Sequence, residues 1–231
     1  MEKSHKILRV GHRGAKGYAP ENTLASFRKA LEQRVEIFEL DVRLCRSGEL
    51  VVLHDDTVER TTNGSGAAAD LTIAQLKKLD AGQGEKIPAL EEVLELTAGR
   101  CGVNIELKGE ATEQPVAGII ARSVAEGVWT YGHFLVSSFD HEKLRQIREL
   151  DPRIRIAPLV VEIPKDFLDI ARGLRAWSVH VAKENLNQEN VQDFQRAGFK
   201  VFAYTANSAS EIGRLKTLGV DGIVSDYPDR I

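Results

Sequence analysis

The feature that most constrains the fold is an alternation of β-rich runs and amphipathic helical segments along almost the entire chain. Eight short runs rich in β-branched and aromatic residues predict strands at residues 7–11, 37–43, 102–107, 134–138, 154–160, 177–181, 201–205 and 222–225. Between them, apolar residues recur at three- and four-residue spacing, as in Leu24, Phe27 and Leu31. That spacing predicts helices with one buried face.

Strands that alternate with helices pair in parallel through right-handed crossovers. Eight such units in 231 residues predict an α/β fold, a closed (β/α)8 TIM barrel, with an open doubly wound sheet as the alternative. No linker or internal repeat divides the sequence. We therefore expect residues 1–231 to form a single barrel domain.

One interruption of the alternation predicts a hairpin. Residues 49–54 follow the second predicted strand after a connection that is too short for a parallel crossover and suits an antiparallel turn. If Ser47 and Gly48 form the centre of the turn, the paired residues place His54 opposite Asp41, with Cβ atoms roughly 5 Å apart. The hairpin would thus bring a histidine next to an acidic strand residue.

A second interruption, residues 55–88, is rich in Thr, Gly, Ala and Asp. One short helix is expected there, at residues 72–79. Because the segment follows the hairpin on the second strand, we expect it to form a small insertion over the barrel mouth.

Composition excludes several classes of protein. The chain is 42% hydrophobic and 28% charged, with 34 acidic and 31 basic side chains, so neither disorder nor a nucleic-acid-binding tail is expected. The first ten residues lack the apolar stretch of a signal peptide, and no apolar run is long enough to span a membrane. Two cysteines suit a reducing compartment. We expect a cytoplasmic protein, and its oligomeric state stays open.

Three acidic side chains are expected to meet inside the barrel. Glu39 and Asp41 lie two residues apart on one strand, so both point to one face, and the same alternation turns Glu106 inward. Carboxylates in such proximity repel one another unless a cation neutralises them. Oxygen ligands favour one hard divalent cation, Mg²⁺ or Ca²⁺, over Zn²⁺. The alternative is an ion-pair lattice with Arg13, Arg43 and Lys108.

Two histidines join these carboxylates at the mouth of the predicted barrel, where enzymes of this fold carry their reacting groups. His12 follows the first strand and His54 ends the hairpin. Because imidazole titrates near neutral pH, one ring can serve as general base and the other as general acid. Arg13 offers a planar fork to a phosphate and Lys108 a point charge. Together these groups predict cleavage of a phosphodiester.

Other residues have plainer explanations. Asn22 or Thr23 is expected to cap the first helix. His180 lies on a predicted strand and has no catalytic signal of its own in the sequence. Phe139 follows a predicted strand and Tyr204 lies near the end of another, and two interpretations stay open for them: walls of the pocket or packing at its rim.

A series of short motifs runs across nearly the whole chain in a specific order. They are His12-Arg-Gly14, Pro20-Glu-Asn-Thr-Leu24, Glu39-Leu-Asp41, Val51-Val-Leu-His-Asp55, Thr61-Thr-Asn-Gly64, Ile105-Glu-Leu-Lys108, Ser137-Ser-Phe139, Tyr204-Thr-Ala-Asn207 and Gly219-Val-Asp-Gly-Ile-Val-Ser-Asp226. In this order they resemble the glycerophosphodiester phosphodiesterases. Tyr204 stands where the family commonly has Trp, and Ser225 where Thr is frequent. These departures concern the fit around the leaving alcohol more than the reaction.

The resemblance implies a barrel fold and metal-dependent hydrolysis of a small-molecule glycerophosphodiester to sn-glycerol 3-phosphate and an alcohol. The residues concerned are His12 and His54 as the acid/base pair, Glu39, Asp41 and Glu106 as ligands of one divalent cation, Mg²⁺ or Ca²⁺, Arg13 and Lys108 as phosphate contacts, and Phe139 and Tyr204 as further substrate contacts. Two alternatives stay open. One is a catalytically silent barrel that binds a phosphorylated metabolite or a partner protein, and the other is a hydrolase of lysophospholipids.

Overall fold

Eight parallel strands close into a barrel in which the first strand pairs with both the second and the last. The computed structural model describes residues 6–231, so the N-terminal prediction about a signal peptide falls partly outside the described residues. The barrel strands are β1 (Leu8–Gly11), β2 (Ile37–Leu44), β4 (Gly102–Leu107), β5 (Phe134–Ser138), β6 (Arg155–Val160), β7 (Ser178–Ala182), β8 (Lys200–Tyr204) and β9 (Gly222–Ser225). Pairing of β1 with β2 and with β9 closes the sheet. The predicted TIM barrel is confirmed.

Seven helices alternate with the barrel strands as the periodicity predicts. They are α1 (Leu24–Glu32), α3 (Leu90–Thr97), α4 (Glu113–Ala125), α5 (His141–Leu150), α6 (Phe167–Leu174), α7 (Gln188–Arg196) and α8 (Ala209–Leu218). After β9 the described chain ends in a short 3-10 turn, Pro228–Arg230, in place of an eighth helix. Over residues 6–231, none of these helices combines the length and the apolar character that crossing a bilayer requires.

The outward face of each strand packs against the helices, and β2 shows the pattern. Phe38 and Leu40 are fully buried. The ring centroid of Phe38 lies 4.7 Å from that of Phe27 on α1. Burying a side chain of this size contributes about 1.5–3 kcal/mol. The intervening residues Glu39 and Asp41 therefore point into the barrel, as the period of two predicts.

The first helix is positioned by its cap. Thr23 has extended backbone dihedrals, and its side chain accepts a hydrogen bond from the backbone N–H of Ser26. The expectation that Asn22 or Thr23 caps this helix is thus confirmed for Thr23. Asn22 does not cap the helix, and its side chain donates to Asp41 instead.

The hairpin on β2 forms, but its predicted register is wrong by one residue. The short strand β3 (Leu50–Val52) pairs antiparallel with β2, with Val42 opposite Val52. In this register Asp41 faces Leu53, whose N–H donates to the Asp41 carbonyl at 3.0 Å. His54 therefore does not stand across from Asp41 and instead follows the end of the strand.

The cause of the shift is the turn. Cys45 and Glu49 close a three-residue loop through a 3.0 Å hydrogen bond from the Cys45 N–H to the Glu49 carbonyl, where a two-residue turn was assumed. The loop ends at Gly48, whose φ of +96° lies in the left-handed region. Three-residue hairpin loops commonly carry glycine at this position.

The insertion at residues 55–88 has a small apolar core of its own. Buried side chains of Val58, Leu76 and Ile87 pack together with Leu53 from the hairpin. Its helix α2 covers only Ile73–Leu76, within the predicted 72–79, because the following residues continue as turns. The insertion is thereby held against the edge of the barrel at β3.

Candidate active site

The three predicted carboxylates meet inside the barrel on neighbouring strands. Asp41 on β2 is in register with Glu106 on β4. Glu39 lies two residues before Asp41, on the same face of β2. Their relative exposures are 4% for Glu39, 1% for Asp41 and 7% for Glu106. One carboxylate oxygen from each lies within 4.8 Å of the others.

The three carboxylates share two neighbouring cations, since Arg13 Nε lies 3.4 Å and Lys108 Nζ 4.0 Å from the two oxygens of Asp41, so one negative charge stays unbalanced. The backbone N–H of Arg13 donates to Glu39 Oε2 at 2.8 Å, and Asn22 Nδ2 donates to Asp41 Oδ2 at 2.9 Å. Lys108 Nζ lies 2.5 Å from Glu106 Oε1. Glu39 Oε1 is buried without a hydrogen-bond partner.

The electrostatics fit a bound cation better than an ion-pair lattice. Burial, together with the nearby Asp41 and Glu106, raises the pKa of Glu39 well above its usual value. Burial and Asp41 raise the pKa of Glu106 to about 7, even with Lys108 opposing the shift. Arg13 opposes both shifts and Lys108 opposes that of Glu106, yet both pKa values stay raised, so the two cations compensate the cluster only in part. An all-oxygen donor set with one unpartnered oxygen suits a hard divalent cation.

His12, at the end of β1, is held by a carboxylate from the last barrel unit. Its Nδ1 lies 2.7 Å from Asp226 Oδ1, and Asn207 Nδ2 donates to the other oxygen of Asp226 at 2.9 Å. Burial lowers the pKa of His12, although the hydrogen bond to Asp226 opposes the shift. With Nδ1 engaged, Nε2 is the ring nitrogen left for the cavity.

His54 has a similar arrangement on a different support. Its Nδ1 lies 2.6 Å from Oδ1 of Asp55, the next residue in the chain. Its backbone carbonyl accepts from Arg43 Nη2 at 2.7 Å, so Arg43 supports the loop and takes no part in the carboxylate cluster. Burial lowers the pKa of His54, with Asp41 and Asp55 opposing the shift.

Both histidines open onto one cavity of about 240 Å³ at the C-terminal ends of the strands. Eight of the nine predicted site residues line it: His12, Arg13, Glu39, His54, Glu106, Lys108, Phe139 and Tyr204. The ninth, Asp41, is almost fully buried beside the other carboxylates. Two cations, two imidazoles and the carboxylate cluster thus share a space that suits a small phosphodiester.

The other half of the cavity is aromatic. Phe139 and Tyr204 meet edge to face with ring centroids 6.1 Å apart, and both line the cavity. Lys108 Nζ lies 5.2 Å from the Phe139 centroid. The hydroxyl of Tyr204 donates to the Val160 carbonyl at 2.8 Å, which fixes the ring.

Sequence reasoning missed several residues around the cavity. His180 lines it, stacked on Phe202 with centroids 4.8 Å apart, and burial lowers its pKa to about 3. Asn22 was interpreted only as a possible cap but contacts Asp41. Asp226 lay within a quoted motif, and its distance of 214 residues from His12 concealed the contact. The alternation of side chains along its strand was the signal in the sequence that could have placed His180 inside the barrel.

A sequence profile described as the glycerophosphoryl diester phosphodiesterase family matches residues 12–230. The chain therefore belongs to the glycerophosphoryl diester phosphodiesterase family, and the resemblance of its motifs is confirmed. It is 36% identical to a glycerophosphodiester phosphodiesterase of Caldanaerobacter subterraneus, over 98% of this chain and 96% of that protein.

Solved structures agree on the fold. A phosphodiesterase of Oleispira antarctica, in complex with the product sn-glycerol-3-phosphate, superposes with a TM-score of 0.89 at 35% identity, covering 97% of this chain and 95% of the other. A glycerophosphodiester phosphodiesterase of Thermotoga maritima gives a TM-score of 0.81 at 28% identity, covering 97% and 96% of the two chains.

The glycine of the His12-Arg13-Gly14 motif is required by close packing, which gives a first prediction. Gly14 has φ +85°, and a Cβ added there would lie 2.4 Å from Ser26 Oγ. That hydroxyl donates to the Arg13 carbonyl and accepts from the Ala15 N–H. We expect Gly14→Ala to lower the free energy of unfolding by about 2–4 kcal/mol, from backbone strain and overpacking together.

Urea unfolding followed by circular dichroism measures this loss. Gly127→Ala is the matched control, because Gly127 has φ +86° and open space around an added Cβ. It carries the backbone strain alone, and we expect a loss of about 1 kcal/mol. Equal losses in the two variants would contradict the packing argument.

Proposed function

We propose that this protein hydrolyses glycerophosphodiesters to sn-glycerol 3-phosphate and an alcohol. The observation that carries the proposal is the convergence of His12, His54, Arg13 and Lys108 with the carboxylate cluster on one small cavity. Family membership and the product bound to the Oleispira antarctica relative support the same substrate class.

In this proposal Glu39, Asp41 and Glu106 hold one divalent cation, Mg²⁺ or Ca²⁺. When bound there, the cation supplies Lewis-acid polarisation of a phosphoryl oxygen. The unpartnered Glu39 Oε1 and the raised pKa values of Glu39 and Glu106 support this assignment. The cation would also neutralise the charge that the cluster cannot balance by itself.

The chain's own cations orient the substrate. Arg13 is held by Glu21, which accepts from Arg13 Nη1 at 2.6 Å, so its guanidinium is fixed before substrate arrives. Lys108 lies between Glu106 and the Phe139 ring. Together they would bind two oxygens of one phosphate and stabilise the charge that develops during cleavage.

The two histidines divide the proton transfers. One takes the proton of the attacking hydroxyl at Nε2, and the other donates a proton from Nε2 to the leaving alcohol oxygen. In each ring the carboxylate on Nδ1, Asp226 for His12 and Asp55 for His54, fixes the tautomer and the ring plane. Both rings therefore present the same atom to the substrate.

The attacking group is either the neighbouring hydroxyl of the glycerol or a water molecule. Attack by the glycerol hydroxyl gives a cyclic phosphate that water then opens. A substrate that lacks this hydroxyl separates the routes, since it is cleaved only if water attacks directly. Detection of the cyclic product during turnover would establish the first route.

The release of sn-glycerol 3-phosphate tests the proposed function. With divalent metal present, we expect release from glycerophosphocholine, glycerophosphoethanolamine and glycerophosphoglycerol, with kcat/KM at least about 10-fold above that for a lysophospholipid. The physical reason is size, because a cavity of about 240 Å³ suits a small head group and would leave a long acyl chain outside its mouth, in water. His12→Ala serves as the background control. No release from any diester, with either metal, would favour the silent binding barrel.

A further inference from the structure

Arg60, a residue of the insertion, joins two carboxylates through paired hydrogen bonds. Its Nε and Nη2 donate to the two oxygens of Asp55 at 2.5 and 3.0 Å. Its Nη1 and Nη2 donate to the two oxygens of Glu21 at 3.1 and 2.8 Å. A planar guanidinium with five donors can satisfy two carboxylates at once, which an ammonium cannot do with the same geometry.

Each of these carboxylates also holds a group that lines the cavity. Asp55 contacts Nδ1 of His54 at 2.6 Å, and Glu21 accepts from Nη1 of Arg13 at 2.6 Å. Arg60 therefore stands at the middle of a continuous chain of hydrogen bonds from Arg13 to His54. Although burial opposes it, hydrogen bonds from Arg60 and Arg13 lower the pKa of Glu21 to about 2, which keeps this link ionised.

The other histidine has no such dependence on the insertion. The carboxylate on His12, that of Asp226, is held by Asn207, whose Nδ2 donates to it and whose Oδ1 accepts from the Asp226 N–H, each at 2.9 Å. Both residues follow strands of the barrel. His54, by contrast, follows the short strand β3: Arg43 of β2 holds its backbone carbonyl, but the carboxylate on its ring, that of Asp55, is held by Arg60 of the insertion.

We propose that Arg60 is a positioning residue that aligns His54 and Arg13 on the same phosphodiester. Through Asp55 it sets the plane of the His54 ring, and through Glu21 it sets the guanidinium of Arg13. This inference rests on the proposed function and assigns the insertion a part in it: the insertion supplies the cation that connects the acid/base residue to the phosphate contact.

The direct test is steady-state kinetics of Arg60→Ala on the best diester found for the wild-type protein. We expect kcat to fall about 10- to 100-fold, the range found when groups that orient metal ligands from behind are removed, because Arg60 holds Asp55, which orients His54. Arg28→Ala is the control, because Arg28 also joins the barrel to the insertion, through Glu85 at 3.5 Å, without reaching the cavity. Its kcat should stay within about twofold of wild type.

A double-mutant cycle separates positioning from general support of the insertion. Arg60→Ala and Asp55→Asn should be strongly non-additive in kcat, because both break the same link to His54. The kcat losses of Arg60→Ala and Asp226→Asn should multiply, since Asp226 orients the other histidine, His12, and its remaining side-chain contacts, with Asn207 and Lys16, lie outside the link from Arg60 to His54. Additivity with Asp55→Asn would overturn the proposal.

Chemical rescue of kcat distinguishes a positioning role of Arg60 from a purely structural one. Guanidinium ion in the low millimolar range should restore part of the kcat of Arg60→Ala and leave Arg28→Ala unchanged. Arg60→Lys keeps the charge without the fork, and we expect at least about a fivefold loss of kcat with an unchanged melting temperature. This variant carries the test if Arg60→Ala does not fold.

The outcomes are distinguishable from failure of the proposed function. An active wild type with Arg60→Ala and Arg60→Lys indistinguishable from Arg28→Ala would overturn the positioning inference and leave the hydrolase proposal intact. A wild type inactive on every diester would remove the proposed function, and the inference with it.

Discussion

His12→Ala and His54→Ala are each expected to lower kcat by about 10²- to 10⁴-fold, with a much smaller change in KM. The magnitude follows from the loss of a general acid or base that acts in the transition state. Both rings line the cavity and both are oriented through Nδ1, by Asp226 and Asp55. Glycerol 3-phosphate release under saturating substrate measures the effect.

The leaving group distinguishes the two roles. An aryl alcohol of low pKa departs without protonation, so the variant that lacks the acid should recover most of its activity on an aryl diester, while the variant that lacks the base should not. His133→Ala is the control, because His133 lies in the turn before β5, away from the cavity, and caps that turn through Thr130. Near-normal turnover in both active-site variants would rule out the acid/base assignment.

Removal of divalent metal is expected to abolish activity, and Mg²⁺ or Ca²⁺ should restore it and identify the ion that serves. Binding of a cation to the folded state alone stabilises it by about 2.7 kcal/mol at 100 times the dissociation constant. Thermal unfolding with and without each metal should therefore show a rise in melting temperature. Full activity after exhaustive chelation would contradict the metal assignment.

The variant Glu39→Gln separates a metal site from an ion-pair lattice. The pKa of Glu39 is raised in the folded protein, so the ionised carboxylate opposes folding above its unfolded-state pKa. Without metal, Glu39→Gln should have a melting temperature at or above that of the wild type. Adding metal should raise its melting temperature much less than it raises that of the wild type. The surface variant Glu95→Gln should keep the full gain, since Glu95 is exposed on α3. An ion-pair lattice predicts the opposite: Glu39→Gln should lower the melting temperature in the absence of metal.

The sequence could predict the barrel because each part of the prediction depends on local periodicity. The period of two on β2 places Glu39 and Asp41 inside and Phe38 outside, which the burial of Phe38 against Phe27 confirms. The hairpin was also predictable, yet its register depends on whether the turn has two or three residues. The structure shows a three-residue turn with Gly48 in the left-handed region. The composition of the segment does not distinguish this turn from a two-residue one.

The single-domain organisation, the cytoplasmic location and the roles of the individual site residues stay predictions. Both cysteines, Cys45 and Cys101, are buried and unpaired, so neither is positioned for ready oxidation or exchange.

By itself the sequence determined the fold class, the family and the residues that gather at the mouth, because alternation and ordered motifs are local properties. Tertiary structure alone decided which groups support them. The contact of His12 with Asp226, and the link from Arg13 through Glu21 and Arg60, join residues that are far apart in the chain. Such pairs form only when the closed barrel brings β1 beside β9 and the insertion packs against the β3 hairpin, so no local pattern encodes them.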